Sequence, residues 1–236
     1  MFPIQDSNPS KSPAIINWLI ILLNILVFLV EISLGQSEVG QLVRQFALSP
    51  VNFSENPGNP QQIATLFTSM FLHGGWLHII ANMWALWIFG DNVEDRLGHF
   101  NYLLFYFVCG AIAGLTQVFI NPHVAEPTIG ASGAIAGVLG AYLMLFPNAT
   151  VLTLIPLGFI PWFIRVPAYI FLCFWFVTQA VAGLLALGNI GGAVAQHTQS
   201  VAWFAHVGGF VTGFITVKIW ERSDYPKSYT DEYRPF

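Results

Sequence analysis

Six stretches of predominantly apolar residues recur along the chain: Ala14–Leu34, Leu77–Val93, Tyr102–Ile120, Ser132–Phe146, Val166–Leu187 and Val201–Trp220. A helix needs about 20 such residues to cross a hydrocarbon core ~30 Å thick, and each stretch meets or approaches that length. The pattern predicts a polytopic, all-α membrane protein with six transmembrane helices. Composition agrees, because only 8% of the 236 residues are charged and 55% are hydrophobic, whereas a soluble domain carries about a quarter of its residues as charges. A net charge of −4 offers no basic surface for phosphates, so no nucleic-acid partner is expected. Cys109 and Cys173 lie in separate apolar runs without CxxC spacing and read as small buried hydrophobes.

The first run is too long for the core of a cleavable signal peptide and reads as a retained helix, with no lipidation motif at either end. Residues 1–13 are expected to form a cytoplasmic N-terminal segment, 14–220 the membrane domain, and 221–236 a disordered, cytoplasmic polar tail. Between the first two runs lies a Gln-, Asn-, Ser- and Pro-rich segment containing Asn56-Pro57-Gly58-Asn59-Pro60. It predicts an interfacial loop with some amphipathic helix. With the N-terminus inside, Lys11, Arg96, Arg165, Lys218, Arg222, Lys227 and Arg234 fall on the inner side and only Arg44 outside. The positive-inside rule therefore puts both termini in the cytoplasm. No repeat relates the two halves, which argues against a transporter.

The chemistry lies in the fourth and sixth runs. Ser132 stands in Gly130-Ala131-Ser132-Gly133, fourteen residues above Phe146, or about 21 Å at ~1.5 Å per residue. His206 stands fourteen residues above Trp220 and reaches the same height of about 21 Å, roughly 9 Å below the outer edge of the core. Gly133 with Gly137, and Gly209 with Gly213, form a GxxxG stripe on each run, and such stripes let helix backbones approach closely in lipid. A serine hydroxyl needs an adjacent base to become a nucleophile, and a neutral imidazole can take its proton and return it. No acidic third member suggests itself: Asp91, Glu94 and Asp95 lie at the inner end of the second run, and Glu126 is in a loop. A Ser132–His206 dyad is expected.

The second run opens His73-Gly74-Gly75-Trp76-Leu77-His78 and continues to Asn82. His78 and Asn82, four apart, share a helix face near the depth of the dyad. There they would stabilise an oxyanion together with the backbone N–H of Ser132 at a free helix N-terminus. Taken singly, each residue has a plainer reading: a serine between glycines is usually a packing residue, and polar groups in membrane helices often bond other helices. The pairing at one depth favours the chemical reading. His73 and His78 do not suggest a metal site, since there is no HExxH and a five-residue spacing does not put both on one helix face; no metal or other cofactor is expected. His99, His123 and His197 read as solvated, and Glu31 as interfacial.

These motifs together resemble the rhomboid intramembrane proteases: Gly130-Ala131-Ser132-Gly133 is similar to GxSG, Ala205-His206 with Gly209 and Gly213 to AHxxGxxxG, and His78 with Asn82 to HxxxN. Gly90, Glu94 and Gly98 fit the end of that span. The resemblance runs from about Thr68 to Phe214. It implies a six-helix rhomboid-like bundle and a serine endopeptidase acting through an acyl-enzyme, with Ser132 as nucleophile, His206 as general base and acid, and His78 and Asn82 near the oxyanion. It implies as partners transmembrane-helix substrates in a lipid bilayer, cut near small residues in an unwound segment. Two positions depart from the pattern. Ala64 and Thr65 stand where many rhomboids carry Trp-Arg, so the first loop must be anchored differently, and Ala136 replaces an aromatic against which the histidine packs. The alternatives are a helix-binding pseudoprotease, against which the intact dyad argues, and a transporter, against which the one-sided polar cluster argues. The fifth span and Pro156–Pro167 are candidate elements of a substrate gate. A bacterial plasma membrane, with the site opening outward, is the expected setting.

Overall fold

Each apolar run contains a helix. The computed structural model describes residues 1–157, 160–187 and 201–223. Its helices are α1 (Ile15–Ser33), α2 (Gln36–Phe46), α3 (Pro50–Glu55), α4 (Pro60–Thr68), α5 (Trp76–Leu97), α6 (His99–Ile120), α7 (Ser132–Leu145), α8 (Ala168–Leu187) and α9 (Trp203–Trp220). A 3-10 turn, Ser69–Phe71, follows α4. The segment between α1 and α5 divides into short helices because Ser49-Pro50 and Asn59-Pro60 each pair an N-cap oxygen with a proline at the first helical position. This loop is fastened without a Trp-Arg pair. Thr68 Oγ1 donates to the Phe46 carbonyl at 2.7 Å, Leu48 and Thr128 exchange backbone hydrogen bonds, and Leu48, Phe53, Leu66 and Val118 form a small apolar cluster.

α5 extends four residues beyond the apolar run because its acidic end caps another helix. The Glu94 carboxylate accepts the backbone N–H groups of Ile16 and Asn17 at 2.9 and 2.7 Å, satisfying donors that the first turn of α1 leaves unpaired. Asp95 likewise accepts from the N–H groups of Lys11 and Ser12. Deeper in, Asn17 donates to the Leu86 carbonyl and accepts from the Tyr102 hydroxyl, tying α1, α5 and α6 together.

α1, α6 and α8 are long and apolar enough to cross a membrane, and α4 with its 3-10 turn plus α5, bent by 84°, would make a fourth span if counted as one. Among the described residues this falls short of the six spans expected. α5 carries Asp91, Glu94, Asp95 and Arg96, and α7 has only 14 residues. The brevity of α7 has a structural reason: twelve of its residues are buried, so it is surrounded by protein and need not match the bilayer alone. Outward faces of α1 (Leu19, Leu22, Leu26) and α8 (Ile170, Phe174, Val181) are apolar and exposed, as lipid-facing surfaces are.

The all-α expectation needs correction. Phe2–Asp6 (β1), Thr150–Leu157 (β2) and Ile160–Pro167 (β3) form an antiparallel sheet in the order β1-β2-β3, with Asp6 opposite Val151 and Thr150 opposite Pro167. Val166 and Pro167 thus close a strand, and α8, the helix of the fifth expected span, starts at Ala168. The N-terminal segment is therefore packed onto the rest of the chain. Of the polar tail, Glu221 pairs with Arg96; residues 224–236, for which disorder was expected, lie outside the described residues.

Asp6 ties the sheet to the core helix. Its Oδ2 accepts from the Tyr142 hydroxyl at 2.7 Å and from Asn92 Nδ2 at 3.1 Å. Burial pushes its carboxyl up to about 6, against the opposing hydrogen bond from Tyr142. A carboxyl raised in the folded state contributes most when protonated, so the docking of β1 is fully supported below about pH 4 and weakens as pH rises through about 6. Protection of residues 2–6 from proteolysis is expected to fall between pH 5 and 7.5. Asp6→Asn, which keeps an acceptor but cannot ionise, is expected to remain protected at both; equal pH dependence in the two chains would rule this origin out.

Candidate functional site

The α7–α9 contact sets the site. A Cβ on Gly209 would fall 3.0 Å from the Gly133 carbonyl carbon, and one on Gly213 would fall 2.7 Å from Gly137 Cα. The two glycine stripes therefore touch backbone to backbone. This closeness brings Ser132, first residue of α7, against His206, in the first turn of α9, and His206 Nε2 lies 2.8 Å from Ser132 Oγ.

The other nitrogen of the imidazole is also engaged. His206 Nδ1 lies 2.8 Å from Gln179 Oε1 on α8, a side chain the sequence reading passed over. Expectation had no third member; the structure has a neutral amide in that place, and Glu126 only lines the same cavity. The ring is flanked by Trp175, with centroids 5.9 Å apart, and by Trp203, edge-on at 6.1 Å. Two tryptophans thus border the imidazole, whereas Ala136 presents no ring to it. Gln179 carried a detectable signal, since a buried amide inside an apolar run demands a partner.

A second polar line enters from α5. His73 Nδ1 is 3.3 Å from the Phe71 carbonyl and its Nε2 is 3.1 Å from Asn82 Nδ2; the carbonyl takes an Nδ1 proton, so Nε2 accepts from the amide. The Gly74 N–H donates to His78 Nδ1 at 3.4 Å, which leaves the His78 proton on Nε2. His73 and His78 come within 5.0 Å between ring centroids although no single helix face holds both, because His73 precedes the helix and folds back beside it. Glu31, read as interfacial, is buried within the protein, where its carboxylate accepts the His73 backbone N–H at 3.2 Å. His99 is exposed and bonds Glu94; His197 lies outside the described residues.

His78 and Asn82 meet the dyad across Gly130. Its φ of +114° lies in the left-handed region, and a Cβ there would sit 2.6 Å from His78 Nε2 and 3.6 Å from Asn82 Nδ2. Glycine thus leaves open the space at which both donors point. Ser132, His206, His78, Asn82, Gln179 and Trp175 line one cavity of about 620 Å³. A serine hydroxyl hydrogen-bonded to an imidazole, beside three N–H donors counting the one at the start of α7, is an arrangement that could support acyl transfer. The described residues of the segment from Pro156 to Pro167 belong to β2 and β3, which follow the opposite end of α7, and none of them lines this cavity; α8, the other candidate gate element, does reach it through Trp175 and Gln179.

Comparison with known proteins finds relatives of the whole region that holds this cavity. Residues 60–222, which include every residue of the cavity cluster, match the Rhomboid domain. The chain is 39% identical over 93 residues to Rhomboid protein 1, mitochondrial, of Saccharomyces cerevisiae, covering 37% of this chain and 27% of that protein. It is 29% identical over 168 residues to Rhomboid-like protein 11, chloroplastic, of Arabidopsis thaliana, covering 70% and 54%. With RHOMBOID-like protein 1 of the same plant it is 30% identical over 155 residues, covering 65% and 33%. The chain thus spans between about a quarter and about half the length of these relatives. Two of the three are named for mitochondria or chloroplasts, so they lend no support to a bacterial plasma membrane; an integral membrane protein is what they and the helices support.

Proposed function

The chain belongs to the rhomboid family, and from that premise we propose that it is an intramembrane serine endopeptidase that cuts transmembrane helices of other proteins. The observation that carries this reading is the 2.8 Å approach of His206 Nε2 to Ser132 Oγ, two side chains 74 residues apart meeting inside a polar cavity. Ser132 Oγ attacks the scissile carbonyl while its proton passes to His206 Nε2. The oxyanion is received by His78 Nε2–H, Asn82 Nδ2–H and the Ser132 N–H. Collapse expels the amine with the proton from His206 and leaves an acyl-enzyme, which water hydrolyses with His206 again as base. Substrate helices must unwind locally, because a helical peptide carbonyl is already hydrogen-bonded and shielded. Within the membrane domain, residues 14–220, α1, α5, α6, α7, α8 and α9 serve as the six spans. Both termini face the side that holds seven of the eight basic residues, and the cavity opens to the other.

The test is cleavage of a fluorogenic peptide containing a transmembrane helix by the purified chain in detergent, with a fluorophosphonate to label the serine. Cleavage together with labelling of Ser132 is the expected result. A chain that neither cuts a panel of such peptides nor takes the label would be a helix-binding relative instead.

Gly130→Ala probes the oxyanion pocket. The added methyl would crowd His78 and force an unfavourable φ, and kcat is expected to fall about 100-fold, the scale of losing one oxyanion donor, with KM little changed. Native kcat in a folded variant would remove His78 from this role.

A further inference from the structure

We propose that Thr178 and Gln179 of α8 are positioning residues that hold His206 in the tautomer its chemistry requires, through a one-directional chain of hydrogen bonds. The proposal rests on the reading of Ser132 and His206 as a nucleophile and its base. Thr178 Oγ1 lies 2.6 Å from the Trp175 carbonyl, which can only accept, so the threonine proton is committed there. Thr178 Oγ1 is then the acceptor in its 3.2 Å contact with Gln179 Nε2. The NH₂ end of the amide is thereby fixed toward Thr178 and the carbonyl end toward His206. Gln179 Oε1, 2.8 Å from His206 Nδ1, accepts and requires a proton on Nδ1. Nε2 is left with its lone pair facing the Ser132 hydroxyl at 2.8 Å.

The direction of this chain matters because an amide can be placed either way round. Turned over, Gln179 would donate to Nδ1, the imidazole proton would move to Nε2, and the ring would meet Ser132 as a donor with no capacity to take its proton. Thr178 selects between the two arrangements. Gln179 is 9% exposed, and its Oε1 is the acceptor that the described residues place at Nδ1. A buried carboxylate in this place would hold the same tautomer at the cost of a desolvated charge; the amide holds it while neutral. His78 and Glu126 are the other titratable groups that line the same cavity, and neither is hydrogen-bonded to Nδ1.

The test pairs kinetics with a readout that needs no activity. In a Ser-His-Asp site, loss of the correct tautomer costs about 10⁴ in kcat; a neutral acceptor contributes less, and Gln179→Leu is expected to lower kcat by about 10- to 100-fold with KM unchanged. Thr178→Val is expected to give a smaller fall, of about 3- to 10-fold. In parallel, ¹⁵N chemical shifts of the His206 ring, recorded on Ser132→Ala to avoid self-cleavage, are expected to show a single Nδ1–H tautomer. Adding Gln179→Leu is expected to produce a mixture. An Nε2–H ring with Gln179 present, or an unchanged tautomer without it, would overturn the proposal even if the chain cleaved nothing. Native kcat in Gln179→Leu would overturn it in an active chain, whereas loss of all activity in the native chain with the expected shifts would count against the protease reading alone.

Discussion

Ser132→Ala is expected to reduce cleavage of a transmembrane peptide by about 10⁴-fold or more, and His206→Ala to do the same. Without Oγ there is no atom to form the acyl-enzyme, and without Nε2 the hydroxyl keeps its proton and stays a weak nucleophile. The losses should not add. Each residue acts only through the other, across one 2.8 Å contact, so the double variant should cleave no more slowly than either single one. Ser132→Ala removes one oxygen at the start of α7, and its thermal unfolding should match the native chain. The imidazole also packs between Trp175 and Trp203, so His206→Ala is expected to unfold somewhat lower, and its kinetics are best read beside those of the serine variant. Cleavage that survives both substitutions would take the reaction away from this pair.

The parts of the molecule legible in its sequence share one property: their signal is local. Lipid demands long apolar helices, and that demand is written continuously along Ile15–Ser33 or His99–Ile120. The level of Ser132 and His206 could be read by counting along two helices, because the rise per residue is fixed. Helix ends were less legible. α5 continues through Glu94 and Asp95 because those carboxylates receive N–H groups from the start of α1 and from the residues just before it, partners some eighty residues away.

The sheet was hidden for a related reason. β2 and β3 are apolar and contain prolines, features shared with a loop between spans, and β1 lies about 150 residues from the strand it joins. Pairing at that separation has no local signature. The burial of Glu31 was not legible because its partner is a backbone N–H, which no motif announces. Gln179 is different. It stands out as an amide in an apolar run, but a neutral amide is not the acidic group that a Ser-His-Asp pattern calls for.

The glycine seam should be the most sensitive structural feature outside the reacting groups. Gly213→Ala would put a methyl 2.6 Å from the Gly137 carbonyl carbon and closer still to its oxygen. The obstacle is backbone, which cannot rotate aside as a side chain can, so α7 and α9 must separate. Overpacking of this kind costs about 1–3 kcal/mol, expected as a lowered unfolding temperature in detergent. Activity should suffer beyond that loss. The same separation carries His206 away from Ser132, and misplacement by about 1 Å can cost 100-fold in rate, so kcat should fall by about that factor in protein that is still folded. Gly58→Ala provides the control: no atom lies within 4 Å of its would-be Cβ, and neither stability nor rate should change. A Gly213→Ala chain with native unfolding temperature and native kcat would mean that the approach of Ser132 to His206 does not depend on the seam, and that something other than backbone contact between α7 and α9 aligns the pair.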